Sequence, residues 1–511
     1  MVNAMANGDD AGRRWVEWSG RRLSFWVLLA AVTAWKIVAA IKLDVCYDES
    51  YYHYWSLYQQ LSYMDHPPLT AWAMTVSGWI FGDSFWTVRF WPLAAGTGFV
   101  LIGRLLAGMM FGPATANRAG ILLLLVPGFV GNSLLMTPDT LFALFWAAAL
   151  CLVWAGLRST SRGLVWWLAA GVCTGLGLLA KYNMILVFFG LGLYWLAVPA
   201  DRRNVFWGTL VCGVTALLVF SPVLIWNAGN DWMSFRYQLQ HGLGAQSKLA
   251  VWNTLPSYVG GLLLVATPVL AVLAAWSCGR GLLRPDARGR FLACFFWAVV
   301  LFFGYSALRT LVQANWAMLA FFTGTILLAR DWETMPKRIT RAGWVLLVGL
   351  DVLIMVYLML PAQFPLKIGN RVLDPPRMRE FIGSREFAEA VRARVAATQA
   401  DFVCAATHQL LGSVSFYVPE LRSRLLLGGK GGPRRFPWID PARWRGKTAL
   451  LIAQGRQPVW PDHEEFGAVN YLGSVDIPYK REKQRTLHFF TGQGFIPFPG
   501  PAPGRSTDEE P

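Results

Sequence analysis

The stretch Asp44-Val-Cys-Tyr-Asp-Glu-Ser-Tyr-Tyr-His-Tyr-Trp55 directly follows the first apolar span, and Tyr63-Met-Asp-His-Pro-Pro-Leu69 comes after a short spacer. Four acids (Asp44, Asp48, Glu49 and Asp65), two histidines (His53 and His66) and a run of tyrosines fall within this region. Carboxylates at the end of a membrane helix are costly unless water, a cation or a substrate satisfies them. The cluster therefore predicts one lip of an active site at the outer membrane surface. Pro67 and Pro68 stiffen the backbone there and fix where Asp65 and His66 point.

The surrounding composition fits a membrane protein. Hydrophobic residues make up 55% of the 511 and charged residues 15%, against about a quarter charged in a typical soluble domain. Apolar spans are expected near 24–42, 92–110, 119–136, 140–157, 164–180, 183–198, 206–226, 257–277, 291–308, 315–329 and 343–360. The expected fold is a polytopic α-helical membrane protein of about eleven spans. The net charge of +16 does not argue for a nucleic-acid partner, because the arginines lie mostly in short pairs between apolar spans.

Loop charges predict an orientation. One set of loops carries Arg104, Arg118, Arg158, Arg162, Arg202, Arg203, Arg280, Arg284, Arg288, Arg290, Arg330, Lys337, Arg338 and Arg341. Arg13, Arg14, Arg21 and Arg22 precede the first span on that same side, with no small-residue cleavage site after it. The opposite loops carry Lys42, Arg89, Lys181, Arg236, Lys248 and Arg309, so the N-terminus is expected in the cytoplasm. An odd number of spans puts the C-terminus outside. Asp44, Asp48, Glu49, Asp65, Asp83, Asp139 and Asp231 also fall on the outer side. Cations set among acids suit a site that handles an anionic group beside a general base.

The expected organisation is a cytoplasmic segment 1–23, a membrane catalytic domain 24–360 with its first outer loop at 43–91, an outer domain 361–496 and a disordered tail 497–511. Polar and apolar residues alternate in Asp401–Thr407, Thr448–Ala453 and Arg485–Phe490. Ser384–Ala397 reads as a helix with Ser384 at its N-cap and Phe387, Val391 and Val395 on one face. A small mixed α/β domain follows from this pattern. The seven cysteines read as small buried hydrophobes.

Several side chains carry two readings. Asp48 and Glu49 are neighbours, so on a helix they point about 100° apart and do not form a symmetric pair. Asp139, in Thr137-Pro-Asp139, is either an N-cap or a second carboxylate of the cavity. Lys181, Arg89 and Arg309 either snorkel to headgroups or bind a phosphate. Lys36 and Asp351 fall within spans and are functional candidates for that reason. No cofactor is required by these residues. A divalent metal held by Asp65 and His241 is a candidate that needs further ligands from phosphate or water.

Tyr47-Asp-Glu-Ser-Tyr-Tyr52, Tyr63–Leu69, Val88-Arg89, Thr137-Pro-Asp139, Leu178-Leu-Ala-Lys-Tyr182 and Gln313-Ala-Asn-Trp316 occur in one order. Together they resemble the bacterial branch of the dolichyl-phosphate-mannose protein mannosyltransferase superfamily, over roughly residues 40 to 330. That branch includes the lipid A aminoarabinose transferase and the rhizobial core galacturonosyltransferases. The resemblance implies a GT-C glycosyltransferase in the bacterial inner membrane with a periplasmic C-terminal domain. It implies a polyprenyl-phosphate-linked sugar donor and a lipid or glycan acceptor. By motif, Asp48 matches the catalytic aspartate and Asp139 a second outer acid, with Glu49 beside them as a further catalytic candidate. Lys181 and Arg89 match cationic positions near the carrier phosphate, and His66, Arg309, Tyr51 and Tyr182 complete the substrate-binding candidates. Asp65-His66 stands where the aminoarabinose transferase has Glu-Lys, which replaces a permanent cation by a titratable imidazole. Metal ligation by Asp65 and His241 is implied by analogy alone. The alternatives are a protein O-mannosyltransferase and, ranked below it, a transporter or flippase for a lipid-linked sugar.

Overall fold

The computed structural model describes residues 22–243, 251–359, 366–368, 371–373, 380–429, 432–460, 463–480 and 483–497. The expected N-terminal segment up to residue 21 and the tail from residue 498 lie outside the described residues. The chain forms two compact units, one of Met1–Ala40, Leu61–Ala73 and Arg89–Leu358 and one of Ile41–Gln60, Met74–Val88 and Met359–Pro511. This differs from the linear division expected above. Most of the first outer loop groups with the C-terminal part of the chain rather than with the helical unit.

The helical unit is built from apolar helices. Among the described residues, six helices are long and apolar enough to cross a membrane: Leu23–Lys42, Phe85–Phe111, Pro138–Arg158, Gly163–Ala180, Pro199–Ala228 and Ala287–Ala307. Val251–Ala266 and Pro268–Leu283 add a seventh crossing if counted as one span, bent by 99°. Pro268 has no N–H to continue the first helix and disfavours helical geometry at the residue before it, and Thr267 takes a positive φ of 67°. Other expected spans are shorter or interrupted. The 119–136 stretch breaks at Pro127 into Pro113–Leu125 and Pro127–Asn132, and the 183–198 stretch starts as a 3₁₀ turn before Leu186–Ala197. Length and composition thus support six or seven crossings where about eleven were expected. Proline and 3₁₀ breaks account for much of the difference.

One packing contact matters for the site. Helix Gly163–Ala180 lies against helix Arg202–Ala228 through Gly171 and Gly175, one turn apart. A Cβ at Gly171 would sit 2.8 Å from the Cys212 carbonyl oxygen, and one at Gly175 would sit 2.9 Å from that of Ala216. Only glycine allows backbones this close, the usual small-residue mode of helix packing in membranes. The seam sets where this helix ends, and Lys181 is the next residue. Lys36 and Asp351 are both buried in this unit and act on each other electrostatically, so Lys36 does not snorkel outward.

The second unit centres on a mixed sheet. A short hairpin pairs β1 (Leu366–Ile368) with β2 (Arg371–Leu373). Five further strands are β3 (Phe402–Ala405), β4 (Leu425–Leu427), β5 (Ala449–Gln454), β6 (Phe466–Lys480) and β7 (Lys483–Phe495), in the order β4-β3-β5-β7-β6. β4, β3 and β5 are parallel, and β7 and β6 extend the sheet antiparallel. The alternating runs in the sequence fall on β3, β5 and β7. Phe402, Cys404, Leu451, Trp460, Phe466 and Phe490 belong to one core cluster. Helix Ser384–Thr398 forms with Phe387 and Val391 buried, but its N-cap is Gly383, with φ 89°, rather than Ser384. The Asp44 carboxylate accepts the Ser384 N–H at 2.9 Å instead. An acid placed at a helix N-terminus satisfies an orphan donor and complements the helix dipole.

Candidate active site

In the helical unit the chemistry gathers around Asp139. The backbone N–H of Thr137 donates to Thr140 Oγ1 at 3.2 Å, and Pro138 occupies the first helical position. These contacts start helix Pro138–Arg158 and put Asp139 in its first turn. Arg89 is fully buried, and its guanidinium donates to the Leu134 carbonyl at 2.7 Å, bracing the turn that leads into Thr137. Asn132 Nδ2 donates to the Asp139 carbonyl at 3.3 Å.

Lys181 Nζ donates to both carboxylate oxygens of Asp139, at 2.8 and 2.9 Å. Asn315 Nδ2 donates to Asp139 Oδ2 at 2.9 Å. Asp139 and Lys181 are each 7% exposed. The sequence left Asp139 as an N-cap or a second carboxylate reaching the cavity. Thr137 holds the cap position, and the Asp139 carboxylate is committed to Lys181 and Asn315. An acid so engaged is a poor general base, because protonating it would break a buried ion pair. Its role is to hold the ammonium in place and neutralise it. Asn315 was quoted in the Gln313-Ala-Asn-Trp316 run but not singled out. A polar residue inside an otherwise apolar stretch was the signal that could have found it.

The remaining candidates of this unit fall into separate settings. Tyr182 OH and Ser234 Oγ lie 2.7 Å apart. Gln238 Nε2 donates to the Asp65 backbone carbonyl. Ser234 and Gln238 lie on helix Met233–Leu243, a stretch that sequence reasoning tied to the site only through His241. The His66 carbonyl accepts the Tyr63 N–H at 3.3 Å, closing the turn that carries Asp65. Arg309 is exposed, with its guanidinium 4.9 Å from the centre of the Tyr305 ring. The side chain of His241 lies outside the described residues. Among the described residues, no group of three or more His, Cys, Asp and Glu is arranged to hold a metal ion. Asp65 alone does not make up a donor set, so no step below is routed through a metal.

In the second unit, Asp48 and Glu49 sit in the first turn of helix Tyr47–Ser56. They have different environments. Glu49 is fully buried, and its Oε2 accepts the Cys46 N–H at 3.0 Å. This is a capping contact, which ties the Glu49 carboxylate to the start of its own helix. Asp48 is half-buried. Tyr51 is 3% exposed and packs against Trp55, His408 and Phe436 with ring centres 4.8, 4.6 and 6.0 Å away, a core position rather than a substrate contact.

Two histidines of this unit, His53 buried and His408 half-buried, have depressed basicity. Burial first, and then the nearby Arg422, push His53 down to about 4, against the upward pull of Asp83. Arg422 grips Asp83 with two hydrogen bonds of 2.7 and 2.9 Å, which holds that carboxyl below its usual range. His408 is pushed down to about 3 by burial and then by Arg435, which lies 2.5 Å from its Nδ1. A base whose folded value is depressed binds its proton more readily when unfolded. Its stabilising contribution is therefore complete above about pH 6.5 and is lost as the pH falls toward 4. For His53 the loss by pH 4 is on the order of 3 kcal/mol. Thermal unfolding of the whole protein between pH 7 and 4 is expected to show an acid-side fall in melting temperature. His53→Phe is expected to make that fall shallower, and an unchanged slope would show that His53 is not buried neutral.

Residues 65–226 match the family described as dolichyl-phosphate-mannose-protein mannosyltransferase, a segment that includes Asp139 and Lys181. The chain is 26% identical over 309 residues to the lipid A galacturonosyltransferase RgtD of Rhizobium johnstonii, covering 59% of this chain and 64% of that one. The match to the mannosyltransferase family thus lies in residues 65–226, about a third of the chain. A second relative is the undecaprenyl phosphate-alpha-4-amino-4-deoxy-L-arabinose arabinosyl transferase of Edwardsiella ictaluri, 30% identical over 249 residues, or 45% of this chain and 42% of that one. The chain thus spans less than two thirds of the length of these two curated relatives. The fold is similar to the crystal structure of ArnT from Cupriavidus metallidurans bound to undecaprenyl phosphate, with a TM-score of 0.61 and 17% identity over 92% of this chain and 98% of that one. The apo state of the same protein gives a TM-score of 0.62.

Proposed function

We propose that the protein moves a sugar from a polyprenyl-phosphate carrier to a lipid or glycan acceptor of the bacterial cell envelope, on the periplasmic side of the inner membrane. The observation that carries this reading is the buried Asp139–Lys181 pair inside the family-matched segment, joined by Asn315 from beyond it. A fixed ammonium can take up a phosphate, because lysine has three N–H donors and the two Asp139 oxygens accept only two of them. The galacturonosyl and arabinosyl transferase activities of the two relatives support the donor and acceptor classes.

In this reaction Asp48 acts as general base. It takes the proton of an acceptor hydroxyl as that oxygen bonds to the anomeric carbon. The bond from the anomeric carbon to the carrier phosphate breaks, and its electron pair leaves on the phosphate. Lys181 stabilises the charge that grows there. Displacement from the opposite face inverts the anomeric centre. Arg89 acts on this site by bracing the turn before Asp139. A divalent metal near Asp65 and His241 is not needed by this scheme.

The family description favours a second reading, transfer to a protein. Mass spectrometry of surface glycolipids and glycoproteins from a strain lacking the gene separates the two. Loss of one sugar from a glycolipid is the expected result. Loss confined to glycoproteins would replace the proposal by the second reading.

A further inference from the structure

In open α/β sheets, ligands usually bind beyond the C-terminal ends of the parallel strands, where the strand order reverses. In the second unit the chain leaves β3 toward β4 and then crosses to β5 on the other side, so the reversal lies between β3 and β5. Two groups stand at the ends of those strands. His408 opens the helix His408–Tyr417 that follows β3, and Gln454 is the last residue of β5.

Both are occupied by helix Tyr47–Ser56 of the same unit. Tyr47 OH donates to Gln454 Oε1 at 2.6 Å, and Arg485 of β7 donates to Tyr47 OH at 2.8 Å. Arg485 is 6% exposed and is itself tied to the Gly383 carbonyl at 3.2 Å. The Tyr51 ring lies 4.6 Å from that of His408. Tyr417 OH donates to the Val45 carbonyl at 2.7 Å, just before the helix begins. Close packing completes the seat: a Cβ at Gly412 would lie 2.7 Å from both Cα and N of Tyr51, atoms that cannot give way. A small residue is required where two backbones approach this closely.

We propose that this α/β unit is a positioning scaffold for Asp48, with its strand-end crevice filled by the helix that carries the base, and that Arg485, Tyr47 and Gln454 are its positioning residues. The hydrogen-bond chain ends on the residue before Asp48, so it anchors the first turn of the helix that carries the base. Chains of this kind polarise and rigidify one another when fully satisfied. The inference rests on the reading of Asp48 as general base.

The test uses the full-length protein in nanodiscs with Tyr47→Phe, Arg485→Gln, Arg485→Lys and Asp48→Asn. Hydrogen exchange of the Tyr47–Ser56 amides reads the docking without reference to activity. Tyr47→Phe and Arg485→Gln are expected to speed that exchange and to lower kcat on the order of tenfold to a hundredfold, with donor KM unchanged. Arg485→Lys, which keeps the positive charge and N–H donors but not the planar fork, is expected to recover part of both. Faster exchange with an unchanged kcat, while Asp48→Asn is inactive, would overturn positioning. Unchanged exchange in Tyr47→Phe and Arg485→Gln would overturn the docking chain itself. An active Asp48→Asn would instead overturn the reading of the base and leave the exchange result standing as evidence of docking alone.

Discussion

Asp48→Asn is expected to reduce sugar transfer by two to four orders of magnitude, the usual range for removing a general base, while the protein stays folded in the membrane (~10²–10⁴-fold). The substitution keeps the shape and the hydrogen-bonding size of the side chain but removes a group that can accept the acceptor's proton. The fold should tolerate it, because Glu49 rather than Asp48 makes the capping contact to the Cys46 N–H. Initial rates with a labelled donor and thermal unfolding in the same detergent check both halves of the expectation. Glu49→Gln should give the opposite pattern, with stability lowered by about 0.5–2 kcal/mol through the weakened cap and a smaller effect on rate.

The second large effect concerns the buried pair. Asp139→Asn leaves the Lys181 ammonium without its counter-charge in a site where both side chains are about one tenth exposed. Removing one partner of a buried ion pair costs about 3–5 kcal/mol, since the other charge is left uncompensated. Lys181→Met should cost a comparable amount for the converse reason. The double variant Asp139→Asn/Lys181→Met carries no charge there and is expected to recover much of the stability. It should not recover transfer, because the cation that meets the leaving phosphate is gone. Denaturation midpoints and kcat measured on the three variants form a double-mutant cycle that separates stability from chemistry. A double variant that regains activity along with stability would reduce the pair to a structural role.

Much of this was legible from residue types and order. Acids and cations that interrupt apolar runs are costly in a membrane and so mark positions with a task, which is how Asp139 and Lys181 came forward together. What sequence could not supply was the pairing. Asp139 opens one helix and Lys181 directly follows another, and only the packing of those helices in the folded unit brings the two together. The same limit hid Asn315, whose contact with Asp139 joins residues far apart in the chain. The acidic stretch after the first span was recognised as special, yet its neighbours were not foreseeable. Glu49 turned out to serve the backbone of its own helix and Tyr51 the core, because adjacent helical residues face different surroundings. The helices differ from the expected spans where proline and 3₁₀ turns break apolar stretches that hydropathy alone reads as continuous.

Transfer of labelled sugar from a polyprenyl-phosphate donor by the purified protein, with lipid A, core oligosaccharide and peptide acceptors supplied separately, tests the account most directly. The account predicts that label leaves the carrier and appears, with inverted anomeric configuration, on the lipid or glycan acceptor, and that Asp48→Asn and Lys181→Met block this. Label that stays on its carrier and merely crosses the bilayer, or transfer that persists in both variants, would contradict it.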